Sequence, residues 1–347
     1  MATLLTPGDV DDLVALILPK FKKNAWENLT TDYPEYASSR LLKRENVTVA
    51  GGRAINWKLK VNETGTARNS GLYDADETNI EDLATSAEAP WTKQTGNYSY
   101  DADELLMSSD DTEIVSVLKM REVGCKEEMV ELNELNMWSE PSTSAEKRPW
   151  GVPYYLRKAT VASGGTFAGG NPDSSFGGCA GVDTDTYPAW KNFNFTYTAV
   201  TTDDLIKKVK KSLRNTRFVA PVPHPELGMG KAKCEMWTVE SVVDTLERVA
   251  ESRNDSLGSD VARYMGQVTI GGCPVRISWH LDQTDSTNPM YGINWSQFKP
   301  NVLRGANMRR TLKKGARQHT VSEVHYDTWM NYTCWNRRRA GFVGHVL

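Results

Sequence analysis

Residues 55–62, Ile55-Asn56-Trp57-Lys58-Leu59-Lys60-Val61-Asn62, alternate without a break: Ile55, Trp57, Leu59 and Val61 fall on one face, and Asn56, Lys58, Lys60 and Asn62 on the other. A period of two is the mark of a half-buried strand. The same period carries Tyr98 and Tyr100, which read as the return leg of a two-legged arm over Thr48–Leu106. The sequence between the legs is polar and acidic, with Glu63, Asp74, Asp76, Glu77, Glu81, Asp82 and Glu88 against Arg68 and Lys93. An isolated two-stranded ribbon is marginal in water, so the arm is expected to need another surface to lie on.

At 347 residues the chain exceeds one average domain, and two or three packed subdomains are expected. Hydrophobic residues at 39% with 24% charged describe an ordinary soluble protein. Met1–Val10 lacks a basic region followed by an apolar core, and the apolar run Leu13–Leu18 is too short to span a membrane and is broken by Pro19. Synthesis in the cytoplasm and no membrane partner are therefore expected. Five widely spaced cysteines, Cys125, Cys179, Cys234, Cys273 and Cys334, fit reduced, mostly buried thiols better than a disulfide framework. Sequons such as those at Asn28 and Asn254 then read as chance matches.

A net charge of -3 excludes a generally basic nucleic-acid binder, but the charge is unevenly spread. Acid collects in the arm and just after it, through Asp101, Asp103, Glu104, Asp110, Asp111 and Glu113. Base collects near the end, at Arg304, Arg309, Arg310, Lys313, Lys314, Arg317 and Arg337–Arg339. These are either two solvated faces or complementary surfaces on neighbouring copies, where charge sets register more than affinity.

The remaining pattern predicts an α+β fold, because helices and strands do not alternate in βαβ order. Asp9–Leu29 reads as an amphipathic helix with three aspartates in its first turn, and Tyr33–Val47 as an extended tether. Ser109 or Asp110 can cap a long helix running to about Ser139, with Ile114, Val117, Leu118, Cys125, Met129, Leu132 and Leu135 as its apolar stripe. Ser163–Val182, rich in Gly, Ser, Asn and Asp, reads as a functional or interface loop. Helices are expected from Thr202 and over Thr238–Arg253, strands over Val268–Ile270 and Val275–Trp279, and a last strand over Trp329–Trp335.

An acidic arm feeding directly into a long helix is followed by a mixed domain with a Gly272-x-Pro274-Val275 strand, a Pro289-x-Tyr291-Gly292 turn and a closing Asn336-Arg337-Arg338-Arg339. In its order of elements this resembles the major capsid proteins of tailed bacteriophages of the Hong Kong 97 type. The resemblance implies an N-terminal arm at 1–45, an extended E-loop at 46–106, a P-domain with its spine helix at 107–149, an axial A-domain at 150–310 and a return to the P-domain at 311–347. It further implies hexameric and pentameric capsomers of the chain itself closing an icosahedral shell around double-stranded DNA. That shell is located in the virion, assembled in the host cytoplasm, with portal, scaffolding and decoration proteins as partners and no cofactor. Because the arm begins almost at Met1, scaffolding is expected to be a separate protein or to have been cut away. Candidate contacts between subunits are Trp57, Arg68, Tyr73, Asp74, Asp76, Glu77, Trp91 and Lys93 in the arm, with Arg309, Arg310, Arg337, Arg338 and Arg339 as the basic side. The abundance of Trp (11) and Tyr (13) is read as contact area between subunits. Relatives that weld subunits through a Lys–Asn isopeptide bond make Lys93 worth locating, although an exposed lysine is ordinarily a solvated charge.

Enzymatic readings find little purchase. His224, His280, His319, His325 and His345 show no helical metal-ligand spacing, and His319, His325 and Cys334 are better read as satisfied or surface groups. Gly228-Met229-Gly230-Lys231 lacks the first glycine and the following Ser or Thr of a phosphate loop, and no Gly-x-Ser-x-Gly elbow occurs. A second class of function, nucleic-acid binding through Trp335 and Arg337–Arg339, would use phosphate contacts and base stacking.

Overall fold

The computed structural model describes residues 36–45, 47–62, 67–72, 83–101, 111–217, 233–251, 268–314 and 320–347. The helix expected over Asp9–Leu29 lies outside them. Helix α1 (Ala37–Glu45) stands where an extended tether was expected. It buries Ala37, Ser38 and Leu41. Two apolar residues are too few to register as a helical period, and the helix is held instead by a polar tie, the Ser38 backbone NH donating to Glu134 Oε2 at 2.8 Å.

After β1 (Val47–Val49) comes β2 (Ala54–Lys60), which turns Ile55, Trp57 and Leu59 inward as its alternation predicts. Its return leg differs from the expectation. Strand β3 (Ala84–Pro90) pairs antiparallel with β2, from Ala54 opposite Pro90 to Lys60 opposite Ala84, and points Ala87 and Ala89 into the core. Alanine is depleted in strands and leaves almost no hydrophobic alternation to read. Tyr98 and Tyr100 belong to the next strand, β4 (Thr92–Asp101), which pairs with a long strand near the chain end.

Helix α2 (Asp111–Met137) is the long helix foreseen, 27 residues or about 40 Å at 1.5 Å per residue. Its buried face is not the predicted one throughout. Cys125 and Met129 are buried, but Leu132 and Leu135 are 36% and 37% exposed while Asn133, Glu134, Asn136 and Met137 go inside. The cause is polar. Glu134 accepts from Ser38 and from Trp138 Nε1 at 2.7 Å, and those partners make a carboxyl tolerable at a place where apolar periodicity would put leucine. Burial raises the Glu134 pKa, and these hydrogen bonds oppose the rise.

The rest of the chain builds two sheets. In order come α3 (Val152–Tyr155), β5 (Thr166–Gly169), β6 (Asn192–Tyr197), α4 (Lys207–Thr216), β7 (Cys234–Thr238), α5 (Glu240–Glu251), β8 (Thr269–Ile270) and β9 (Cys273–Ile277). There follow α6 (Trp279–Thr284), β10 (Met290–Asn294), β11 (Phe298–Leu303), β12 (Arg309–Lys314), β13 (Val321–Cys334), α7 (Arg337–Ala340) and β14 (Gly341–Val346). Trp279, expected to extend a strand, starts a short helix; the strand expected over Trp329–Trp335 is the end of the longer β13, and β14 follows it. A seven-stranded sheet runs β5-β6-β14-β10-β7-β9-β8, and a second runs β1-β11-β13-β12 with β4 also on β13.

The centre of the seven-stranded sheet was not legible because β6 and β10 are buried at every position, and a strand covered on both faces shows no alternation. Gly292 stands opposite Phe342, and Gly344 opposite Phe195. A Cβ on either glycine would come within 2.3 Å of the facing ring, so the missing side chains are where the aromatic rings lie.

The described residues divide into two compact units, one drawn from 96–128 and 310–326, the other from 36–95, 129–309 and 327–347. Strand β14 lies in the middle of the seven-stranded sheet, beside β6 and β10. In the smaller unit, Tyr98 stacks on Tyr326 with centroids 6.4 Å apart, and Tyr326 Oη donates to Glu122 Oε1 at 2.7 Å. Burial and the Glu122 carboxylate together push the Tyr326 phenol up to about 12.

Replacing Gly292 with Val, a better strand former, is expected to destabilise the fold by about 1–3 kcal/mol by overpacking against Phe342, read as a lower urea midpoint.

Candidate assembly interface

The hairpin β2–β3 finds its first footing on its own chain. Glu88 NH donates to the Ala180 carbonyl at 3.0 Å, in the glycine-rich segment read as an interface loop. Ala180 itself is buried and left-handed, φ 56°, and its NH donates to Tyr154 Oη at 3.1 Å. That segment is also more regular than expected, holding β5 and a 3-10 turn at Ser174–Phe176. At the base of the hairpin, Asn331 on β13 acts as a node. Its Nδ2 donates to Pro90 O at 2.7 Å, and its Oδ1 accepts from the backbone NH of Trp150 and of Tyr332, both at 2.8 Å. Thr92 Oγ1 donates to Met330 O beside it.

The candidate contact residues separate into distinct groups. Tyr73, Asp74, Asp76 and Glu77 lie outside the described residues. Trp57 is buried in the chain's own core, and Trp91 is half-buried with its Nε1 donating to Gly52 O at 3.0 Å. Arg68 and Arg310 are exposed. Lys93 and Arg309 converge on buried Asp327, at 3.0 and 3.8 Å, although their own side chains remain 43% and 57% exposed. Burial raises the Asp327 pKa, but contacts from Lys93 and Thr95 and the charges of Lys93 and Arg309 outweigh it and hold the carboxyl below its ordinary value. Lys93 is thus half of an intramolecular ion pair.

The basic run at the end is the clearest correction. Arg337–Arg339 form helix α7, not a strand, capped by Asn336 Oδ1 accepting from Arg338 NH at 3.1 Å. Arg337 is 0% exposed. Its Nε donates to Tyr155 O at 2.7 Å, and its Nη2 to Gly170 O and to Asn192 Oδ1, both at 3.0 Å. Arg338 lies 4.1 Å over the Phe167 ring, and Arg339 is half-buried. Arg337 is therefore committed to the chain's own core, while Arg338 and Arg339 stay partly exposed. An arginine triplet reads as a binding patch in sequence, and only the tertiary contacts reveal a structural anchor.

The aromatics are corrected in the same way. Trp138 packs on Trp237 and Tyr291, Trp150 stacks on Tyr154 at 4.5 Å, and Phe298 on Tyr332 at 5.4 Å, all inside one chain. The apolar groups left outside include Leu72 (91% exposed), Val161 (71%), Leu312 (59%) and Trp335 (46%), along with Leu132 and Leu135 of α2. Sequence reasoning assigned the two α2 leucines to the core and did not mark Leu72 or Leu312. Among the described residues no group of three or more His, Cys, Asp or Glu side chains could hold a metal, and no helix is long and apolar enough to cross a membrane.

No protein-family model matches the chain, and no curated protein matches it in sequence. Solved structures do. The chain is similar to one in the capsid asymmetric unit of cyanophage A-1(L), with a TM-score of 0.64 at 14% identity over 93% of this chain and 96% of that one. It is similar to the capsid chain of an empty GTA particle, TM-score 0.56 at 10% identity over 99% of both, and to that of Myoviridae phage XM1, TM-score 0.52 at 10% identity over 92% and 97%. At such identities the likeness establishes the fold: this chain shares, over nearly its whole length, the mixed helix-and-strand fold of these phage capsid chains.

Removing the Lys93 charge with Lys93→Gln is expected to lower the urea midpoint at pH 7. A carboxyl whose folded pKa is depressed contributes stability above its unfolded value of about 3.9 and loses it as pH falls through the folded value. The gap between wild type and variant should therefore close on acidification below about pH 4.

Proposed function

We propose that this protein is the major capsid protein of a tailed bacteriophage, of the Hong Kong 97 type, assembling as hexamers and pentamers into an icosahedral shell around double-stranded DNA. The observation that carries the reading is the fold likeness to capsid chains across nearly all of both partners. On this reading residues 1–45 form the N-terminal arm, 46–106 the E-loop, and α2 the spine of the P-domain. The seven-stranded sheet is the framework of the axial A-domain, with 341–346 belonging to it and 310–326 to the peripheral part. The role is structural, with no catalytic step. Assembly takes place in the host cytoplasm with scaffolding and portal proteins, and the finished protein resides in the virion, with weak non-specific contact to packaged DNA.

The E-loop in this account is anchored at its base by Asn331 and Ala180 of its own subunit and overlaps a neighbour with its tip. The exposed Leu72 and Leu312 supply apolar contact, and the exposed Arg68 and Arg310 supply charge that sets register. Many modest contacts repeated around rings give a stable shell because each subunit is held by several neighbours at once.

Negative-stain electron microscopy of the purified protein, with scaffolding protein supplied where required, is expected to show closed particles or capsomers. Shortening residues 63–82 to a Gly-Ser turn leaves β2, β3 and Asn331 intact, so the variant should match the wild-type subunit in circular dichroism and fail to close particles. Replacing Leu312 with Asp should reduce particle yield about tenfold, as the loss of about 1.4 kcal/mol per contact would. Closed particles at wild-type yield from the shortened chain would overturn the overlapping-tip reading, and a protein that stays monomeric under all assembly conditions would overturn the shell itself.

A further inference from the structure

Away from every surface discussed so far, two cysteines meet one guanidinium. Strand β7 pairs parallel with β9, Met236 opposite Val275 and Thr238 opposite Ile277. Carried two residues back, that register sets Cys234 opposite Cys273, at the starts of the two strands. Neighbouring strands lie about 4.8 Å apart, within the Cα separation of roughly 4.4–6.8 Å that a disulfide spans. Arg217, just past the end of α4, fixes both sulfurs. Its Nε donates to Cys234 Sγ at 3.4 Å, its Nη2 donates to Cys273 Sγ, and its Nη1 is tied to Gly271 O at 3.1 Å. Both sulfurs therefore lie on the same edge of one planar group. Both are free thiols.

The two are not equivalent. Cys273 is buried, whereas Cys234 is half-buried and opens into a cavity of about 450 Å³. Arg40, Lys233, Glu235 and Trp295 line that cavity; Arg40 pairs with Glu235 at 3.3 Å, and with Lys233 the lining carries two basic side chains against one acidic. The other three cysteines, Cys125, Cys179 and Cys334, are buried, and burial raises each thiol above its ordinary value.

We propose that Cys234 and Cys273 form a redox-reactive dithiol, with Cys234 the attacking thiolate, Cys273 the resolving thiol and an anionic low-molecular-weight disulfide as the oxidant. The hydrogen bond from the Cys273 thiol, followed by the hydrogen bond and charge of Arg217, lowers the Cys234 pKa against the opposing effect of burial, and Cys273 is correspondingly raised. In the first step the Cys234 thiolate attacks one sulfur of the oxidant R–S–S–R, forming the mixed disulfide Cys234–S–S–R and releasing RS⁻. In the second step Cys273 loses its proton to solvent and attacks Cys234 Sγ, forming the Cys234–Cys273 disulfide and releasing the second RS⁻. The protein loses two electrons and the oxidant gains them. The cationic cavity wall favours a reagent bearing carboxylates. The product joins β7 to β9 covalently within the seven-stranded sheet. The inference stands on the dithiol geometry and is independent of the shell reading.

The test treats the native full-length chain at pH 7 with 5,5′-dithiobis(2-nitrobenzoate), following released thionitrobenzoate and then mapping the product by mass spectrometry. The expected result is a rapid bimolecular release followed by an equal concentration-independent release. The product should contain linked Cys234 and Cys273 peptides, lighter by two hydrogens and free of adduct. Cys273→Ser should stop at a stable mixed disulfide on Cys234, and Arg217→Leu should slow the first step about tenfold by raising the thiolate's pKa. The neutral reagent 4,4′-dithiodipyridine should lose less rate in Arg217→Leu than the anionic one. Should the wild-type product retain its adduct at Cys234, or should the rapid phase map to Cys125, Cys179 or Cys334, the proposal is overturned. The wild-type map decides this even where a variant fails to fold.

Discussion

A guanidinium with no access to solvent sets the terms for the rest of this fold. Arg337 sits where the chain leaves β13 of one sheet and enters β14 at the middle of the other, and its three hydrogen bonds reach Tyr155, Gly170 and Asn192. Taking a charge out of water is costly unless its donors are met; Nε and Nη2 are met while Nη1 finds no partner among the described residues, so the segments that supply acceptors are held in place around it. Those segments are the last residue of α3, the loop after β5 and the first residue of β6. The same Asn192 side chain donates to Arg157 O at 3.1 Å and accepts from Arg157 NH, so the loop is fixed from two directions.

Around that anchor the fold uses polar side chains where an apolar core would be simpler. Asn331, fully buried, holds the hairpin base to Trp150, and Glu134, nearly so, holds α1 to α2. Asn331 is satisfied by backbone groups, and Glu134 by the Ser38 NH and the Trp138 indole NH, partners that only this arrangement brings into reach. Satisfied buried polar groups select one register among several that apolar packing alone would permit. The consequence is local: the base of the hairpin is set on its own chain, and Leu72 and Arg68 beyond it are exposed.

The aromatic residues follow the same logic. Trp138, Trp150, Tyr154, Tyr155, Trp237, Tyr291, Phe298 and Tyr332 form the core that joins α2, α3 and the two sheets. Their count in the sequence suggested contact between copies, yet they are spent inside one. The outer apolar surface is left to a few leucines, Val161 and Trp335.

The sequence by itself determined whatever depends on local period and on the order of elements. The alternation of Ile55, Trp57 and Leu59 gave β2, the long apolar repeat gave α2, and the order of elements gave the α+β class and the likeness to phage capsid chains. It could not give β3, whose inward residues are alanines, nor β6 and β10, which are buried on both faces and so lose the period of two. Nor could it tell Arg337 from Arg310. A charge reads alike in sequence whether water or three protein oxygens surround it, and only the tertiary structure decided which, because the acceptors come from residues 145 to 182 positions away.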